Sequence, residues 1–409
     1  MGYSTFVGSF NVNTAKTATQ TQAITGVGFL PKVILFWWNG SVDTTGDYES
    51  ALTTYNLGFG AAISSTSRFC VMGISEGAQT DSDCLCSQNN TEFMRAYTNT
   101  GTLDGILDLS TMDADGFTYI VDDQFTQAYR ISYLALGGDD LTGVYIGNAP
   151  FPGSTGNYGI TGVGFQPDAV IVGSTFDSAA STNNGLQMCV GMATGASNQG
   201  VVYGSADDAA ATTVTTGYGY TDLYGRGTSY HGELVSMDAD GFTVNHKQGT
   251  SVYYFHYVAL KGGRFSVGNF LTRTSKGAIA ETGVGFTPQA LFLASANRPL
   301  STYDTPTDEL LFHMGAATVA SQNAINVNDG NAQSTTSTWI AHQDGMIYLN
   351  YHNNTATAEA SLTSFDTDGF TASMDYEENL MGACWVTYLA IAPLLGVPRK
   401  WYYYETMRQ

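Results

Sequence analysis

Apolar residues in this chain fall in short runs, broken repeatedly by Gly, Asn, Asp, Ser and Thr. The run Val33-Ile34-Leu35-Phe36-Trp37-Trp38 is apolar at every position, which predicts a central strand covered on both faces. The runs Ala169-Val170-Ile171-Val172 and Ala290-Leu291-Phe292-Leu293 read the same way. By contrast, Ser132-Tyr133-Leu134-Ala135-Leu136 alternates, and is expected to close a sheet at a domain boundary. Short aromatic and β-branched runs between turn formers are what strands and tight turns require, so the pattern predicts an all-β protein.

The runs recur. GVGFLPKVILFWW from Gly26 returns as GVGFQPDAVIV from Gly162 and GVGFTPQALFL from Gly283. MDADGFTYIV from Met112 returns from Met237 and, as FDTDGFTASM, from Phe365. YLALGG from Tyr133 returns as YVALKGG from Tyr257 and YLAIAP from Tyr388. Each set opens on a similar strand, at Thr5–Phe10, Thr142–Gly147 and Phe265–Phe270. Three strings in one order, three times over, predict three tandem homologous domains, at 1–139, 140–263 and 264–396, with a short extension at 397–409. A repeat of this length can bury its own core, unlike the short units of a solenoid.

Within a repeat, Gly26 and Gly28 supply backbone freedom and Pro31 starts the strand, with Phe29 capping the core. Asp113-Ala114-Asp115-Gly116 stands between two apolar runs, and Asp-Gly there predicts a hairpin turn. The paired carboxylates Asp113/Asp115, Asp238/Asp240 and Asp366/Asp368 faintly resemble a calcium loop, but Phe117, Phe242 and Phe370 follow the Gly where a ligand is needed. Tyr133, Tyr257 and Tyr388 read as core packing. The stretches 60–99, 195–227 and 316–342 diverge most, and read as loops that carry binding differences.

Composition narrows the function. With 15 basic and 36 acidic residues the net charge is −21, and no basic stripe offers itself to a phosphate backbone, which argues against nucleic-acid binding. Aromatic residues at 12% exclude a disordered chain. The five cysteines, Cys70, Cys84, Cys86, Cys189 and Cys384, are an odd set without zinc-ligand spacing, so free thiols in a reducing compartment are expected. The N-terminal MGYSTFVGSF does not read as a signal peptide, and no apolar run is long enough to span a bilayer.

Catalytic patterns are weak. The six histidines do not recur across the repeats, and no phosphate-binding loop is present. Gly73-Ile74-Ser75-Glu76-Gly77 matches GxSxG, but the first repeat has no histidine to activate Ser75 and no predicted strand-to-helix turn. No cofactor, metal or catalytic residue is expected. The tail differs from everything before it: Arg399, Lys400, Trp401, Tyr402, Tyr403 and Tyr404 form an aromatic-basic cluster on an acidic chain. Such a cluster suits docking onto a partner, because Trp, Tyr and Arg dominate interface hot spots; the alternative is that it folds back on the third repeat.

The GVGFxP, DADGF and YLALGG strings together resemble a repeated domain family of tailed-bacteriophage virion structural proteins. The resemblance covers all three repeats and departs at Ile391-Ala392-Pro393, where the Gly pair is replaced. It implies antiparallel, jelly-roll-like β-sandwiches and a non-enzymatic protein of the virion, assembled in the host cytoplasm. The implied role is a tail fibre, tail tip or capsid decoration. Other virion proteins, host surface polysaccharide and further copies of the chain are the implied partners, without membrane insertion. A free lectin-like module and a polysaccharide-degrading enzyme are the alternatives.

Overall fold

The computed structural model describes residues 2–394, except 45, 53, 77–82, 100, 207–215, 227–228, 297–308, 331–337, 352–355 and 378–382. The chain is all-β: the described residues form antiparallel strands in six sheets and no helix. The sheets fall into three pairs, each a large sheet facing a four-stranded one.

In the first pair the large sheet runs, edge to edge, Tyr3–Asn11, Arg130–Gly138, Pro31–Trp38, Thr54–Ser64, Ser67–Glu76 and Asp83–Asn89. The small sheet runs Thr21–Thr25, Gly116–Asp123, Thr102–Asp113 and Met94–Asn99. The second large sheet runs Gly143–Pro150, Tyr254–Lys261, Ala169–Asp177, Leu186–Gly195, Asn198–Ala206 and Thr216–Tyr220. The third runs Arg264–Leu271, Trp385–Ala392, Ala290–Ala296, Glu309–Ala317, Gln322–Gly330 and Thr338–Gln343. Within each large sheet the first strand pairs with the last of its stretch, and the remaining strands follow as a meander.

Two strands leave their own stretch. Ser181–Asn184 adds to the edge of the first large sheet, pairing Thr182 with Ser87, and Tyr48–Leu52 adds to the edge of the third, pairing Ser50 with Ile340. The segment STNN has no apolar side chain, so its pairing rests on the backbone ladder that any sheet edge offers, joined by Ser87 Oγ at 3.1 Å from Ser181 O and 3.0 Å from Thr182 Oγ1.

Pro31–Trp38 is central and buried on both faces, as its unbroken apolar run predicts. Ile34, Phe36 and Trp38 fill the interior between the first pair's two sheets, against Phe93, Phe117 and Tyr133. Val33, Leu35 and Trp37 point the other way, into a second core shared by all three large sheets. There Trp37 and Phe59 meet Phe292 of the third sheet at 5.8 Å, and Ile171, Val190 and Met192 of the second complete the cluster. Each large side chain so buried contributes roughly 1.5–3 kcal/mol.

Two expectations need correction. The strand Arg130–Gly138 does not close a sheet at an edge: it lies between Tyr3–Asn11 and Pro31–Trp38, with Tyr133 on one core and Leu134 and Leu136 on the other. The divergent stretches are largely strands rather than loops, among them Ser67–Glu76, Asn198–Ala206 and Gln322–Gly330. Ser67–Glu76 and Asn198–Ala206 are buried on both faces, with Phe69-Cys70-Val71-Met72 and Val201-Val202-Tyr203 at their centres. The expected hairpin at this string is present, its turn at Ala114-Asp115 and Gly116 already paired to Asp113.

Candidate functional site

The repeated strings make contacts within a sheet pair. Gly26 and Gly28 have φ of 88° and 85°, a conformation that costs glycine little and turns both amides toward the Asp115 carboxylate. Gly26 N donates to Asp115 Oδ2 at 3.1 Å, and Gly28 N to Oδ1 at 2.6 Å. The same two bonds recur from Gly162 and Gly164 to Asp240, and from Gly283 and Gly285 to Asp368. The other aspartate of each turn accepts two hydroxyls: Asp113 from Thr111 and Thr118, Asp238 from Ser236 and Thr243, Asp366 from Ser364 and Thr371. These carboxylates latch the turn to the glycine loop, a role that spacing alone did not reveal.

The tyrosines also have one role in three places. A Cβ at Gly8, Gly147 or Gly268 would stand 2.7, 2.6 or 2.3 Å from the ring or hydroxyl of Tyr133, Tyr257 or Tyr388, so the glycine of the opening strand makes room for the ring. Each ring then meets the turn phenylalanine, as Tyr133 meets Phe117 edge-on at 5.3 Å.

The residues that differ meet between sheet pairs. In the closing strands the position before each tyrosine, Ser132, His256 or Thr387, is fully buried. Ser132 Oγ bonds His342 Nε2 at 3.2 Å and Asn323 Oδ1 at 3.0 Å of the third pair. His256 stacks on Phe69 of the first pair at 5.2 Å. Thr387 lies over Gly200 of the second, where an added Cβ would stand 2.2 Å from its hydroxyl. Further polar contacts cross: Asn39 Nδ2 donates to Asn326 O and Ala341 O at 3.0 and 2.7 Å, and Gln88 Nε2 to Ser178 O at 2.6 Å. Burial keeps the histidines neutral, lowering His256 to about 4 and His342 to about 3, with Arg130 also disfavouring charge on His342.

Ser75 lies in a strand, fully inside: its Oγ donates to Asp329 Oδ2 of the third pair at 2.8 Å, and Tyr55 OH lies 3.3 Å from the same oxygen. The hydroxyl therefore serves a junction between sheets. All five cysteines are buried and outside any disulfide, and burial pushes the Cys86, Cys189 and Cys384 thiols up to about 12. A surface network sequence reading missed surrounds buried Asp222, which His231 Nδ1 and Lys247 Nζ each approach at 2.9 Å, with Glu233 on the far side of Lys247. Its members lie on one sheet face only after folding, and no motif announces them. Among the described residues, no three His, Cys, Asp or Glu are placed to hold a metal ion.

Two concavities are lined by described residues. One, of about 260 Å³, is lined by Val42, Tyr48, Asn56, Tyr97, Gln127 and Tyr129, where the chain crosses toward the third sheet. The other is a groove of about 700 Å³ between the first and third pairs, with Val27, Phe29, Pro288, Val319 and Phe365 in its walls. The cluster Arg399, Lys400, Trp401, Tyr402, Tyr403 and Tyr404 lies outside the described residues. No protein-family model and no curated protein matches the chain.

Proposed function

We propose that this chain is a non-enzymatic structural protein of a bacteriophage virion, built from three tandem copies of one antiparallel β-sandwich. The copies are 1–139, 140–263 and 264–396, and each is jelly-roll-like where its first and last strands pair. The reading rests on the resemblance of the repeated strings, and on one observation: three large sheets bury a common core, and two of them take an edge strand from another stretch of the chain. A closed threefold arrangement within one chain suits a building block seated on a threefold axis, as a tail fibre, tail tip or capsid decoration would be. Other virion proteins and further copies of the chain are its partners, and the aromatic-basic tail at 399–404 is the segment that docks on them. Mass spectrometry of purified particles tests the proposal. Stoichiometric presence supports it; absence from the particle overturns it.

A second reading, a lectin-like module for host surface polysaccharide, is favoured by the pocket of Tyr48, Tyr97 and Tyr129. Aromatic rings beside amides suit a sugar ring, which presents apolar and hydroxyl faces. A glycan array decides: binding abolished in Tyr129→Ala supports this reading, and no signal above background removes it.

A further inference from the structure

The three large sheets share one register at Gly60, Gly191 and Gly315, which pair with Phe36, Val172 and Leu293. In each case an added Cβ would strike the carbonyl of the residue just before a small-sheet strand, Phe93 O, Leu223 O or Met346 O. Two residues before these glycines stand Gly58, Cys189 and His313, whose partners across the ladder are Trp38, Ser174 and Ser295. On the next strand, the matching inward positions are Met72 and Ile74, then Tyr203 and Ser205, then Asn326 and Asn328. In the first pair this patch is filled by Trp38, whose ring lies 2.1 Å from where a Gly58 Cβ would be, together with Met72 and Ile74. In the second it is filled by Tyr203 and Phe176, packed edge-on at 5.9 Å.

The third pair breaks the pattern. His313, Asn326 and Asn328 are fully buried, and they face the interior between the sheets, because their neighbours Phe312, Met314, Ile325 and Val327 point into the shared core. Asn326 is the direct ladder partner of His313, and Asn328 is the next residue on that face. His313 Nδ1 donates to Ile325 O at 3.0 Å, and Met346 O is a second carbonyl near the ring. Both amide atoms of Asn326 and of Asn328 have no protein partner. On the same face lie Leu311, the ladder partner of Asn328, and Ala341, the partner of Asn326, with Ala324 and Tyr348 beside Ala341. Trp339, opposite Asn328 in the ladder, is partly exposed and marks the outer end of the face.

We propose that His313, Asn326 and Asn328 form an internal binding site for a neutral guest bearing hydroxyl groups. Four unpaired amide atoms in one buried patch are costly unless something bonds them, and buried amides are ordinarily satisfied. The guest must accept from the two amide NH2 groups and donate to the two amide oxygens, which an OH group does. It is uncharged, since the imidazole stays neutral: burial lowers His313 to about 3. Ordered water supplies this chemistry, and so does a sugar hydroxyl entering past Trp339.

A high-resolution structure of the full chain, grown without polyols, is one arm of the test. The other is thermal denaturation with glycerol, glucose and galactose, for the wild type and for Asn326→Met/Asn328→Ile, which carries the first pair's residues. Density bonded to both amides, with no saturable sugar effect, supports the site with water as guest. A saturable rise in Tm with one sugar, lost in the double variant, supports it with a sugar as guest. Should the double variant not fold, Asn328→Ser, which borrows the second pair's residue, takes its place, and a weakened sugar response or altered density is expected. The proposal is overturned if the amides pair with each other or with backbone and no density lies beside them. It is equally overturned if the only sugar response persists unchanged in the variants.

Discussion

The glycine–aspartate latch and the shared core are built on opposite logics. At the latch, the two bonds to Asp115, Asp240 and Asp368 repeat at 3.1 and 2.6 Å in all three sheet pairs. At the core, the three closing strands present Ser132, His256 and Thr387 to three different neighbours. A contact inside a pair can be encoded once and copied. A contact between pairs of unlike sequence has to be matched to its own partner, so those positions diverge while the latch does not.

The sharpest way to break this contrast is at the centre. Trp37→Ala removes a fully buried ring that meets Phe292, and is expected to cost about 3–5 kcal/mol in urea denaturation. It should weaken the first and third pairs together; loss confined to the first pair would show that the cores are independent.

Acid is the next lever. His256 and His342 sit between pairs with folded values of about 4 and 3, below the ~6.5 of an unfolded histidine. The unfolded chain therefore binds more protons, so their contribution is complete above ~6.5 and is lost as pH falls toward 4 and then 3. Asp108 and Glu281 act oppositely: burial raises them to about 6 and about 7, so their contribution is complete at low pH and lost as pH rises through those values. Denaturation followed against pH should show a loss below 6.5, and His256→Phe should flatten it. An unchanged acid limb would remove His256 from the account.

The smallest effect belongs to the latch. Asp115→Ala, Asp240→Ala and Asp368→Ala each remove two hydrogen bonds at an exposed turn, and each is expected to cost about 1–2 kcal/mol in urea denaturation. The three costs should agree. A large spread would mean that the latches are not equivalent.

Much of this was legible from the chain. The strings GVGFxP and DADGF announce a loop and a turn, and the unbroken run at 33–38 announces a strand covered on both faces. That the aspartate of one string binds the glycines of the other was not legible, because 87 or more residues separate them in the first pair. Nor was the central core: a strand apolar on both faces looks the same whether its second face meets a helix, a sheet or two other sheets. The exchanged strand Ser181–Asn184 carries no apolar signal at all, whereas Ser67–Glu76 holds the run Phe69-Cys70-Val71-Met72, short enough to be passed over among the Ser, Thr, Asn and Asp of 60–99.

The exchange of edge strands tests the closed arrangement most directly. Glu49 and Ala341 face each other across the ladder, 292 positions apart, and the five native cysteines are buried. In Glu49→Cys/Ala341→Cys, mild oxidation should give a cross-link within one chain, seen as a faster-migrating monomer on a non-reducing gel. No cross-link, or a linked dimer in its place, would contradict a single chain closed on itself.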